Sequence, residues 1–247
     1  MKVVGIIPAR YKSSRMPGKP LKDICGKPML WWVYQEAVKA SELDDLYVAT
    51  DDERICKVCE EYGIKSLLTS ETCFSIVDRL HEASEIIKAD YYVCIMGDEP
   101  LLEYEHIKKV IPDAPCNNEP KVRALMRAFT DPVEVMDPGN IKLAVADDGR
   151  CVFISRSPIP YPQKMSEFTY KKFMGIHCYN KAALDFYVNT PQDTLEKIED
   201  IGELRFIVNN VDFYFTLVES GMISVDTPKD LDLVRSIIQK RLGEVQQ

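Results

Sequence analysis

Up to about residue 112, short apolar runs alternate with longer amphipathic segments. The first run, residues 3–7, is too short for a helix and is closed by Pro8 and Arg10, which predicts a strand. Residues 28–40 then carry Met29, Leu30, Trp32, Val33, Ala37 and Val38 at helical spacing, and residues 46–49 read as a second strand. Thr50-Asp51-Asp52-Glu53 has the form of a capping box, with the Thr50 hydroxyl accepting from a first-turn amide while Glu53 reaches back. A short strand at 65–68, a helix at 78–87 and a strongly apolar strand at 91–96 follow, the last ending abruptly in Gly97-Asp98-Glu99-Pro100. This alternation predicts βαβ units, hence a three-layer α/β fold on a mainly parallel sheet. Such sheets place their sites at the carboxyl ends of buried strands.

Beyond residue 112 the pattern changes. Pro112, Pro115, Pro120, Pro132 and Pro138 punctuate strand-like runs at 122–129, 141–146 and 152–155, which predicts a more antiparallel second half. Asp147-Asp148-Gly149 between two of these runs is a hairpin signal. Helical pattern returns from 181 to about 209, followed by strands at 213–217 and 223–225. Thr227-Pro228-Lys229-Asp230 opens a final helix, with Thr227 as N-cap, Pro228 at the first position and Asp230 at the third. With no linker-like stretch, residues 1–247 are expected to form a single domain.

Charge and composition narrow the function. The 39 Asp and Glu outnumber the 31 Lys and Arg, for a net charge of −8, and no basic run supplies the patch a nucleic-acid backbone needs. No apolar run approaches the roughly 20 residues that span a bilayer. The opening apolar stretch is also too short for a signal peptide. Eight cysteines, scattered and without an export signal, predict reduced thiols in a cytoplasmic protein. Cys56 and Cys59 form a CxxC within a helical segment, and no second pair completes a zinc site. His81, His106 and His177 lack metal-ligand spacing to one another and are expected to be ordinary buried or surface histidines. Trp31 and Trp32, adjacent on a helix, cannot face one core direction, which leaves one available for a dimer contact.

Three segments are chemically dense. After the first strand, Arg10, Lys12, Arg15 and Lys19 fall within ten residues that also hold Ser13, Ser14 and Gly18, an arrangement suited to a polyphosphate, although it is not a Walker A loop. Asp98 and Asp226 each follow a short apolar run, so both can converge at one carboxyl edge. Two hard carboxylates there suit Mg²⁺, which prefers one or two carboxylates together with phosphate oxygens. The combination points to nucleotidyl transfer.

The stretch IIPARYKSSRMPGKPL, followed in order by DICGKPM, GDEP and VDTPKDL, resembles the 3-deoxy-manno-octulosonate (Kdo) cytidylyltransferases, or CMP-Kdo synthetases, from residue 3 to about 240. The resemblance implies a nucleotide-diphospho-sugar transferase-like fold, a homodimer, Mg²⁺ as cofactor and CTP and a small acidic sugar as partners. CMP would pass to the sugar's anomeric hydroxyl for lipopolysaccharide or capsule assembly. On that basis Pro8, Ala9, Arg10, Arg15, Lys19, Ser75, Arg79 and Met96 form the nucleotide side. Arg156, Phe173, His177, Tyr179 and Glu203 form the acceptor side, Asp98 and Asp226 hold the metal, and both act with Lys19 in catalysis.

Departures from the family pattern concentrate on the acceptor side. Met96 replaces a Gln, and Ser75-Ile76-Val77-Asp78-Arg79 lacks the family's glycine and a hydroxyl. Phe173-Met174-Gly175-Ile176-His177-Cys178-Tyr179 stands for His-x-Gly-x-Tyr-x-Tyr, and Gly202-Glu203-Leu204-Arg205 for Glu-Gln-Leu-Arg. The resemblance implies Kdo or a modified Kdo as the acceptor; a pocket that has lost hydrogen-bonding groups rejects hydroxyls it leaves unpaired, which argues against plain Kdo and for a modified one. Glu203, where the family has an amide, would pair with an ammonium, as in 8-amino-Kdo; its alternative is an exposed helix residue. A related nucleotidyltransferase with another acceptor acid and a non-catalytic binding module are the competing readings.

Overall fold

The structure, a computed structural model, describes residues 1–12, 16–115, 118–164, 167–219 and 222–245. The first half contains β1 (Val3–Ala9), the short hairpin β2 (Asp23–Ile24) and β3 (Lys27–Pro28), α1 (Met29–Ala37), β4 (Asp45–Thr50), α2 (Glu53–Glu61), β5 (Ser66–Leu68), α3 (Ile76–Ile86) and β6 (Tyr91–Ile95). The second contains α4 (Glu105–Lys108), β7 (Lys121–Ala128), α5 (Pro132–Met136), β8 (Lys142–Val145), β9 (Cys151–Ser155), β10 (Lys171–Asn180), α6 (Lys181–Asn189), α7 (Thr194–Glu199), α8 (Leu204–Val208), β11 (Asp212–Val218) and α9 (Pro228–Val245).

The main sheet runs β11-β7-β10-β6-β1-β4-β5, with the β8–β9 hairpin attached through β10. From β5 to β6 every pairing is parallel. Parallel strands covered on both faces need no alternation, and β6 is buried at every position. In β1, Val3, Ile7 and Ala9 enter one core while Val4 and Ile6 enter the other. Helices α1 and α2 cover the first face, and α3, α6 and α8 the second. This is the three-layer α/β arrangement expected. A third cluster joins α9 to Met16, Ile24 and Met29. Trp32 packs there and donates its indole N–H to the Ile24 carbonyl (2.9 Å), while Trp31 packs on the first core.

Several expectations are corrected. The longest strand, β10, escaped the sequence reading because its Lys-Lys start and its central Gly175 break any simple pattern. It lies antiparallel to both β6 and β7 and joins the two halves of the sheet. Thr50 does not cap α2: Asp52 does, accepting from the Arg54 amide, and Thr50 serves the Asp52 amide instead. A capping box does form one helix later, between Ser75 and Asp78 at the start of α3. The helical stretch 181–209 divides into α6, α7 and α8, the first break falling at Pro191 and the second at Asp200, whose φ is +50°. Among the described residues, 223–225 pair with no strand; Val225 instead donates one hydrogen bond to the Asp98 carbonyl (2.8 Å). At α9, by contrast, Thr227 and Asp230 cap reciprocally as expected.

Candidate functional site

The carboxyl ends of β1 and β6 lie side by side, and from each the chain departs toward the opposite side of the sheet. Crevices of α/β sheets open at such points. After β1, the Gly18 amide donates to the Tyr11 carbonyl (2.8 Å), closing a loop. Gly18 sits at φ +67°, a left-handed conformation that glycine adopts without a Cβ penalty, and it launches the single turn Lys19–Leu21. Lys19 is thereby aimed back over the sheet edge. Its ammonium donates to Asp98 (2.6 Å) and Asp226 (3.3 Å).

The two aspartates reach this point by different routes. Asp98 leaves the end of β6 directly. Asp226 is carried in by Val225, whose side chain is buried with α9 and whose amide is fastened to Asp98, while Asp230 accepts from the Asp226 amide (3.1 Å). The structure therefore brings Lys19, Asp98 and Asp226 together. A cation already stands between the carboxylates, and two hard oxygen donors on a half-exposed edge form a set that fits a small divalent ion.

Of the residues expected on the nucleotide side, Pro8 and Ala9 end β1 opposite Ala49 and Thr50. Arg10 reaches across to donate to the Phe74 carbonyl (2.7 Å), just before Ser75 caps α3. Arg79 is fully buried, donates to Thr69 and is ion-paired with Asp51 (3.1 Å); among the described residues its Nε has no hydrogen-bond partner. Burial, and then the nearby Arg79, pushes the Arg10 pKa down. Arg10, Ser75 and Arg79 thus belong to one corner. Met96 is held at the end of β6 by the Gly175 carbonyl (3.1 Å) and packs into the second core. Arg15 lies outside the described residues.

Of the residues expected on the acceptor side, Phe173 stacks on His177 with ring centroids 4.7 Å apart. The His177 Nε2 faces the Met174 carbonyl (3.1 Å), which only accepts, so this nitrogen carries the proton. Its Nδ1 is then free to accept from the Tyr179 hydroxyl (3.0 Å). Burial holds His177 below its ordinary pKa, in keeping with this neutral form, and pushes Tyr179 well up. Glu203 is not an exposed helix residue: its side chain is 14% exposed and lies 3.7 Å from His177 Nδ1. Among the described residues no hydrogen-bond donor reaches that carboxylate. Phe173, His177, Tyr179 and Glu203 are brought together. Arg156 stands apart, its guanidinium donating to the backbone carbonyls of Glu199, Pro138 and Asp200.

Glu99, to which the sequence motif assigned no role, is only 5% exposed and touches the site from below. Ser224 donates to one of its oxygens (2.9 Å), and the Gly175 backbone lies against the carboxyl. Burial, then Asp98, pushes its pKa up to about 7. Its position beside Asp98 at the end of an apolar strand was the available signal. Lys142, fully buried, donates to the carbonyls of Asp137, Asn140 and Arg156 and left no such signal.

Elsewhere, His81, Glu85 and Asp185 gather on α3 and α6, but Lys181 already pairs with both carboxylates. Cys25, Cys56, Cys59, Cys73, Cys94, Cys151 and Cys178 are free thiols, and among the described residues no helix is long and apolar enough to cross a membrane.

Comparison with known proteins places the chain in a family. A family model described as cytidylyltransferase matches residues 4–213. The 3-deoxy-manno-octulosonate cytidylyltransferase of Acidobacterium capsulatum is 35% identical over 242 residues, 98% of each chain. The Escherichia coli protein of the same name is 34% identical over 243 residues, again 98% of each. A solved structure of CMP:2-keto-3-deoxy-manno-octonic acid synthetase complexed with CTP has a TM-score of 0.91 at 34% identity, covering 98% of this chain and 100% of that one. The chain belongs to the cytidylyltransferase family, on the branch of the 3-deoxy-manno-octulosonate cytidylyltransferases.

Proposed function

We propose that this enzyme transfers CMP from CTP to the anomeric hydroxyl of a 3-deoxy-ulosonic acid, Kdo or a modified Kdo, in a Mg²⁺-dependent reaction. The observation that carries the reading is the convergence of Asp98 and Asp226 on one ammonium, beside the corner that holds Arg10. Asp98 and Asp226 would hold Mg²⁺, which when bound supplies neutralisation of phosphate charge and orientation of the acceptor oxygen. Lys19, Arg10 and Arg15 neutralise the β and γ phosphates. The acceptor oxygen forms its bond to the α-phosphorus as the bond to pyrophosphate breaks, and the hydroxyl proton passes to solvent. No protein nucleophile is required. The Cys59, Cys73 and Cys151 thiols, pushed up to about 12 chiefly by burial, are unsuited to that role.

The acceptor carries the finer part of the proposal. Glu203 is a nearly enclosed carboxylate facing a neutral imidazole, with no donor of its own among the described residues, and this favours an acceptor bearing an ammonium group such as 8-amino-Kdo. The homodimer implied by the family is read by light scattering.

The test is pyrophosphate release with CTP, Mg²⁺ and a panel of ulosonic acids, Kdo and 8-amino-Kdo among them. Turnover with at least one acid, lost in Asp98→Ala with the fold retained, is expected. A higher kcat/KM for plain Kdo removes the amino-sugar reading, and full activity of Asp98→Ala at saturating Mg²⁺ removes Asp98 as a ligand. A preference for another nucleotide points to a different nucleotidyltransferase.

A further inference from the structure

Because β10 runs antiparallel to β6, its first residues lie at the edge where β1 and β6 end. There Lys172 stands directly opposite Arg127 on β7 and Lys142 on β8. Residues directly opposite across strands share a face with Cβ atoms about 5 Å apart, and like charges so placed repel. A row of three cations at the edge of a site therefore needs compensation. Two members have it. Arg127 pairs with Glu134 (2.9 Å), and Lys142 gives its protons to three backbone carbonyls. Lys172, half-buried, makes no side-chain hydrogen bond or ion pair among the described residues.

The lone ammonium is close to the reaction centre. Three residues along β10, Gly175 lies against the Glu99 carboxyl, so close that a Cβ there would fall 2.5 Å from its Oε1. Glu99 is in turn the neighbour of Asp98 and lies within electrostatic reach of Lys172 without pairing with it. In a 2-ulosonic acid the carboxylate is bonded to the anomeric carbon itself. An acceptor whose anomeric oxygen lies at Asp98 and Asp226 must therefore carry its carboxylate at this same edge, beside the cation row.

We infer that Lys172 binds the carboxylate of the acceptor acid, its charge answered only when that substrate is seated. The inference rests on the ulosonic-acid reading above. The phosphates of CTP are the competing anion, but they are served from Arg10 and Lys19, on loops that follow β1.

The experiment compares the full-length enzyme with Lys172→Met and Lys172→Arg, using the best acid of the panel and its carboxamide. Lys172→Met is expected to raise the acceptor KM about 10- to 100-fold, the range of a lost charged hydrogen bond. The CTP KM and calorimetric CTP–Mg²⁺ binding stay unchanged, and Lys172→Arg recovers part of the loss. Wild type should prefer the acid over the amide, and Lys172→Met should not. An unchanged acceptor KM, or an equal rise for CTP, overturns the assignment. Should Lys172→Met fail to fold, equal use of acid and amide by wild type overturns it independently. A wild type that turns over no ulosonic acid removes the functional reading itself, and the inference with it.

Discussion

The Lys19 ammonium lies 2.6 Å from the Asp98 carboxylate, across 79 residues of sequence, and holds Asp226 at 3.3 Å with its other side. On the proposed function, this lysine would compete with a divalent cation for the same oxygens in the absence of nucleotide. A bound triphosphate would give it another anion to serve and draw it away from both carboxylates. Lys19→Met should therefore separate metal binding from turnover. Without CTP, the variant is expected to bind Mn²⁺ or Mg²⁺ about tenfold more tightly than wild type, the scale of two partly exposed ion pairs. Its kcat with CTP should fall on the order of 10²-fold or more. Calorimetry and pyrophosphate release check the two halves, and weaker metal binding by the variant would refute the competition.

Gly175 is set by close approach: a methyl group there would meet the Glu99 carboxyl at 2.5–2.6 Å. Glu99 is enclosed and has little room to retreat. Gly175→Ala is expected to destabilise the fold by about 1–3 kcal/mol through overpacking and to lower kcat by displacing Asp98 next door. Thermal unfolding and steady-state rates measure both, and a variant with wild-type Tm and kcat would show that the edge yields freely.

Arg205 belongs to the architecture. Its guanidinium grips the Glu196 carboxylate with two hydrogen bonds (2.8 and 2.5 Å), donates to the Tyr187 carbonyl and lies over the Tyr187 ring. Both charged groups are buried, so removing one partner strands the other. Arg205→Leu should cost about 3–5 kcal/mol in urea unfolding, and pairing it with Glu196→Leu should recover part of this. Strict additivity of the two losses would argue against a coupled pair.

His177 should make the fold acid-sensitive. Burial depresses its pKa below the ordinary value of 6.5, so below that pH the unfolded chain takes a proton that the native imidazole refuses. The stability associated with His177 is present above pH 6.5 and is lost as pH falls toward the native pKa. His106 is also depressed by burial and contributes in the same direction. His177→Gln should flatten, without abolishing, the decline in unfolding free energy between about pH 8 and about pH 5.5. Parallel stability curves for variant and wild type would show that His177 titrates alike in both states.

Much of the architecture was legible because its cause is local. In β1, β4 and β6 every residue is buried or nearly so, and a short unbroken apolar run is the direct expression of a strand covered on both faces. The Thr227–Asp230 cap is likewise contained in four residues. Strand β10 was not legible, because its neighbours on both sides lie far away in the chain and its bulge near Gly175 erases period two. The cap of α2 shifted from Thr50 to Asp52 because β4 continues through Thr50, leaving the cap two residues farther on.

By itself, then, the sequence determined the α/β class, the order of most elements and the residue types at the carboxyl edge, since hydrophobic spacing and motif chemistry are written into short stretches of chain. Only the tertiary structure decided which of those residues meet. It set Lys19 between Asp98 and Asp226, enclosed Glu203 beside His177, consumed Arg156 in backbone carbonyls and aligned Lys172 with two other cations. Those outcomes depend on strand order and register, which arise from contacts between segments distant in the chain and have no expression in local pattern.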